Sequence, residues 1–134
     1  MERGESIPMK KRVLNPHRIR RIEGGFSFIP HRFLTDGFLA SLSQKEILLY
    51  LFLVLASDRN GLSFYAYDAI CSLLRLCVDD YIKARDGLIR KDLITFDGTL
   101  FQVLELPEHP IHNSAPQTHQ GLVSELIQHS LWEG

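Results

Sequence analysis

Residues 61–106, GLSFYAYDAICSLLRLCVDDYIKARDGLIRKDLITFDGTLFQVLEL, decide the fold. Leu62-Ser63-Phe64 is a short strand after a glycine, and Tyr67 to Arg75 carries apolar residues at helical spacing. Leu76-Cys77-Val78 reads as a turn, and Asp79 to Lys91 as a further helix. Leu93 to Phe96 and Thr99 to Leu104 are strands separated by Asp97-Gly98. That dipeptide is among the strongest hairpin signals, because a two-residue turn of this type asks for positive φ at both positions. The order strand, helix, turn, helix, hairpin predicts a mainly α fold with a small β-hairpin, an α+β arrangement.

Working back toward the N-terminus, Asp58-Arg59-Asn60-Gly61 ends a preceding helix, with the glycine suited to a left-handed conformation. Ser43-Gln44-Lys45-Glu46 is a capping box that starts this helix, from about Gln44 to Ser57. The run Ile47 to Ala56 is apolar on all sides, so the helix has to be covered all round. Cover can come from the Phe26–Ala40 segment, from a C-terminal helix or from a second subunit. The last option makes Leu48, Leu51, Phe52 and Leu55 a candidate homodimer interface. Phe26 to Pro30 reads as a short strand or extended entry, and His31 to Ala40 as a short helix interrupted at Gly37.

Residues 74–94 resemble the final helices of winged helix-turn-helix proteins. Tyr81, Ala84, Leu88 and Leu93-Ile94 occupy the family's inward apolar places and its entry to the wing. Over about residues 43–106 the chain looks most like small bacterial helix-turn-helix proteins of the mobile-element and replication-initiator type. The resemblance implies a winged helix-turn-helix and DNA binding, in a superfamily that also contains protein-binding modules. The chain departs from the pattern where recognition helices often begin with Ser, Thr, Arg or Lys, for here stand Val78, Asp79 and Asp80. Carboxylates are repelled by phosphates, although an aspartate can accept from a cytosine amine. Projection at 100° per residue turns Asp79, Lys83, Asp86 and Arg90 outward, pairing Asp79 with Lys83 and Asp86 with Arg90 four residues apart. Arg85 falls on the inner arc, its stem buried and its head paired with Asp68 or Asp92. Phe64 is expected in the core.

Charge is unevenly spread. Residues 1–22 hold seven basic and two acidic side chains, while the remaining residues hold eight basic and fourteen acidic ones. A basic arm on an acidic body suits phosphate neutralisation. The organisation predicted is a flexible basic arm over residues 1–24, the winged helix-turn-helix over 25–106, a linker over 107–120 and an amphipathic helix over 121–134. Leu122, Val123, Leu126, Ile127 and Trp132 supply the apolar side of that last helix.

Composition excludes several classes. The longest apolar run is too short to span a bilayer, and the N-terminal stretch lacks the apolar core of a signal peptide, so no membrane association and a cytoplasmic location are expected. Cys71 and Cys77 fit reduced thiols, Cys71 in the core and Cys77 in the turn. Neither cysteine spacing nor His109 and His112 make a metal site, and no phosphate loop or nucleophile elbow is present. No catalytic residue, metal or cofactor is therefore expected. The leading function is binding of double-stranded DNA as a homodimeric transcriptional or mobile-element and replication accessory regulator. Its candidate contacts are Lys10, Lys11, Arg12, Arg18, Arg20 and Arg21 in the arm, Tyr65 and Tyr67 at the strand-to-helix entry, Lys83 and Arg90 on the recognition helix, and Gly98 and Thr99 in the wing. The alternative is a protein–protein adaptor on the same scaffold, with the C-terminal helix docking into a partner.

Overall fold

The computed structural model describes residues 10–112, so the expected C-terminal helix and most of the linker lie outside the described residues. A 3-10 turn at Pro16–Arg18 is capped by Asn15, whose side chain accepts from the His17 amide at 3.0 Å. Helix α1 spans Arg32–Thr35, and Gly37 follows it at φ 90°. Helix α2 (Gln44–Ala56) leads to strand β1 (Leu62–Phe64), helix α3 (Tyr67–Leu74) and helix α4 (Val78–Arg90). Strands β2 (Ile94–Phe96) and β3 (Leu100–Val103) complete an antiparallel sheet of order β1-β3-β2. This is the mainly helical, small-sheet layout of a winged helix-turn-helix. Phe26–Pro30 enters it without forming a strand.

The expected capping box starts α2. Ser43 Oγ accepts from the Glu46 amide at 3.2 Å, and Glu46 Oε1 accepts from the Ser43 amide at 2.9 Å. Caps of this kind stabilise a helix by about 1 kcal/mol. The same Glu46 oxygen receives a second, buried bond from Lys91 Nζ at 2.8 Å, and Lys91 also donates to the Ser41 carbonyl at 2.7 Å. Both side chains are almost fully enclosed, at 8 % and 4 % exposure. Gly87 makes room for this lock, because a Cβ there would overlap the Glu46 carboxylate. One acidic side chain thus caps α2 and fastens it to the end of α4.

Around this seam Leu49, Leu53, Ile70, Tyr81, Leu88, Leu93, Ile94 and Phe101 form the core. Phe33 stacks on Tyr50 with ring centroids 5.0 Å apart, so the segment before α2 covers one of its sides. Arg32 ties the other end of the domain to α1, donating from Nη2 to the carbonyls of Pro107 at 2.7 Å and Glu108 at 3.1 Å. Helices α3 and α4 each end with a residue in the left-handed region, Arg75 at φ 58° and Asp92 at φ 63°. There the amides of Leu76 and Leu93 reach back to the carbonyls of Cys71 and Leu88, which satisfies otherwise orphaned acceptors.

Three expectations need correction here. Phe64 is 68 % exposed, because the register pairs Ser63 with the buried Phe101 and turns the neighbouring phenylalanine outward. Gly61 has the expected positive φ of 84°, but it serves the turn into β1 and not the cap of α2, whose C-cap Ser57 is extended. Its close approach to the Val103 carbonyl leaves no space for a side chain. In the wing, register places Asp97 opposite Leu100, so the two central turn residues are Gly98 and Thr99. Gly98 alone has positive φ, at 102°, because Asp97 sits at the strand end and not inside the turn.

Candidate nucleic-acid interface

Helix α4 has an inner face of Tyr81, Ala84, Gly87 and Leu88, all buried. The helical period leaves two outer columns. Val78, Ile82 and Ile89 are exposed apolar residues of one column, of which Val78 and Ile82 lie toward the wing. Asp79, Lys83 and Arg90 are exposed on the other side, with half-buried Asp86 among them. The expected pairs of Asp79 with Lys83 and Asp86 with Arg90 do not form among the described residues. Asp86 instead pairs with Arg85 at 3.2 Å. Arg85 therefore departs from its expected partners Asp68 and Asp92: its guanidinium lies 5.6 Å from the Tyr81 ring centroid and 5.3 Å from that of Phe96. Aromatic faces attract the cation and hold it at the helix–wing junction.

The start of α4 is fastened from outside. Lys45 of α2 donates to Asp80 at 2.6 Å, and Cys77 Sγ accepts from the Asp80 amide at 3.4 Å as the N-cap. The Lys45 hydrogen bond, followed by that from Cys77, holds the Asp80 carboxyl below its ordinary range. Residues 35 apart in sequence make this pair, so no local pattern announces it.

Between α4 and the wing lies an open, mostly apolar groove of about 780 Å³. Phe64, Tyr65 and Tyr67 line one wall, Val78, Ile82 and Arg85 another, and Phe96, Gly98 and Thr99 the third. The fold thus brings Tyr65, Tyr67, Gly98 and Thr99 together, four of the residues expected to contact DNA. Tyr65 also packs edge-to-face on Phe52, with centroids 5.0 Å apart. The wing tip is shaped by Asp97, whose carboxylate accepts from the amides of Leu100 at 2.7 Å and Thr99 at 2.9 Å. These two bonds hold its carboxyl below the usual range.

Lys83 and Arg90 point to solvent but do not line the groove. Lys10, Lys11, Arg12, Arg18, Arg20 and Arg21 are all exposed, and Arg21 pairs with Glu23 at 2.9 Å. On α2, Leu48, Leu51 and Leu55 form an exposed stripe, with Leu55 74 % exposed, while Phe52 is half-buried beside Tyr65. The all-apolar helix is therefore covered on one side and open on the other among the described residues. Cys71 is half-buried against the core, where burial pushes its thiol up, and Cys77 is exposed. His109 and His112 are exposed too. No helix of the described residues is long and apolar enough to cross a membrane.

Neither a search of curated proteins nor one of solved structures returned a match to this chain. A family comparison did. The match runs from the 3-10 turn before α2 to Ile94, the first residue of β2, and so leaves most of the hairpin beyond it. Residues 40–94 match the model described as a helix-turn-helix domain, a stretch that takes in α2, β1, α3 and α4.

Proposed function

We propose that the protein binds double-stranded DNA as a homodimer, acting as a transcriptional regulator or as an accessory factor of replication or a mobile element. One observation carries this reading: the helix-turn-helix match falls on the helices whose last member, α4, keeps a full face exposed beside the wing. Lys83 and Arg90 supply cationic contacts on that face, and Gly98 and Thr99 let the wing approach a backbone closely. The exposed arm cations Lys10, Lys11, Arg12, Arg18, Arg20 and Arg21 add sequence-independent phosphate affinity, since each neutralised phosphate releases a counterion. The leucine stripe on α2 suits a second copy of the chain, which would present two recognition helices to two half-sites.

The test is a fluorescence-anisotropy titration of random-sequence duplex at two salt concentrations, with the full chain and with a chain lacking residues 1–24. With all seven basic side chains of the arm engaged, affinity falls with a logarithmic salt slope of roughly −6. Truncation flattens that slope. Salt-independent binding removes the arm from the account.

A second reading, a protein–protein adaptor, is favoured by the exposed aromatic wall of the groove together with the acidic body. Contiguous exposed apolar surface of this kind often marks a protein contact. Absence of duplex binding by both forms of the chain would support it.

A further inference from the structure

Resting on the DNA-binding reading, we infer that the first two turns of α4 recognise thymine methyl groups and a cytosine amine in the major groove, through Val78, Ile82 and Asp79. The N-terminal residues of a recognition helix are those that meet base edges. Here they are unusual for that place. Val78 is 46 % exposed and Ile82 37 % exposed, four residues apart on one column of the helix. Side chains so spaced stand about 5–6 Å apart, between one and two base steps of roughly 3.4 Å. The thymine C5-methyl is the one apolar group that the major-groove edge offers, so an apolar pair at this spacing matches thymines at neighbouring or next-but-one positions. Against any other base edge these side chains would strip water from polar groups and return no hydrogen bond.

The acidic residues divide the remaining work. Asp80 is tied back to Lys45 at 2.6 Å and turned from the groove face. Asp79 is exposed and has no ion-pair partner among the described residues. A carboxylate is an acceptor only, and its match in the major groove is the cytosine N4 amine. Lys83 and Arg90, on the same charged column, offset the repulsion between Asp79 and the phosphates. The chemistry recognised is thus a pyrimidine-rich strand carrying thymine beside cytosine.

The test begins with selection of duplexes from a random library by the full chain, followed by replacement of each selected thymine by uracil. Loss of one contacted methyl is expected to weaken binding about fourfold. In Val78→Ser and Ile82→Gln chains the uracil effect at the corresponding position disappears, a comparison made within each variant and so independent of its overall affinity. Asp79→Asn moves the preference at its position from cytosine toward adenine, which an amide contacts through two bonds. Equal binding of thymine and uracil duplexes, or duplex binding with no selected consensus, overturns this inference and leaves DNA binding standing. Failure to bind any duplex overturns both.

Discussion

Helix α4 faces two surroundings that are built on opposite terms. Its inner seam with α2 is closed: Gly87 admits the Glu46 carboxylate, Lys91 neutralises it, and every partner is buried. Its outer face is open, with isoleucines, a valine and both signs of charge left to solvent beside an apolar groove. The seam spends its polar groups on one another, so it specifies how two helices meet. The outer face holds groups that its own fold leaves unused, and that is the surface proposed above to meet a partner.

The largest effect that separates the two regions is expected at Lys91. Lys91→Met strands the Glu46 carboxylate in the interior and should cost about 3–5 kcal/mol in a urea unfolding curve. Replacing both partners, as Glu46→Gln with Lys91→Met, should recover part of that loss, because a buried pair is costly mainly when broken. A loss below about 1 kcal/mol for the single variant would mean that the seam is not locked by charge. Gly87→Ala should cost less, about 1–3 kcal/mol, since the new methyl forces the carboxylate to turn or the helices to part. Unchanged stability there would show that the seam yields freely.

Acid sharpens the contrast on the wing side. The folded-state carboxyl of Asp97 lies below its ordinary value of 3.8, through bonds from the Leu100 and Thr99 amides. Its stabilising contribution is fully present above that ordinary value and is lost as pH falls through the lower folded value. Asp58 and Asp80 are depressed in the same direction, by the Leu62 and Asn60 amides and by Lys45 respectively. Thermal unfolding followed from about pH 5 to 2 should therefore show Tm falling with acid, and Asp97→Ala should fall less steeply. The smallest effect is expected on the outer face of α4, where Ile82→Ala should change stability by no more than about 0.5 kcal/mol. A larger loss would make that side chain part of the core.

What was legible in the sequence was local. The Ser43–Glu46 capping box, the helix break at Gly37 and the alternation of helix and strand all rest on residues within one turn of one another. The inward faces of α4 followed from its period. The misreadings have physical causes as well. A three-residue strand carries too little alternation to show that Ser63, and not Phe64, faces Phe101. Asp97-Gly98 signals a hairpin but does not set which pair of residues is central, since the cross-strand register does that. Lys91–Glu46, Lys45–Asp80 and the bonds from Arg32 to the residues after β3 join positions far apart in the chain, so no spacing foretold them. Of the candidate interface, Tyr65, Tyr67, Gly98 and Thr99 were singled out by type and place, and the fold sets them on one groove. The apolar column of Val78, Ile82 and Ile89 was not, because solvent exposure of an isoleucine is decided by what packs around it.

The most direct test of the central claim is an amide-resolved NMR titration of the full chain with duplex DNA. Shifts concentrated at Val78, Asp79, Ile82, Lys83, Arg90 and Thr99 and along the basic arm, with the Glu46–Gly87–Lys91 seam unmoved, are the predicted result. Shifts confined to Leu48, Leu51 and Leu55, or none at any amide under low salt, would contradict it.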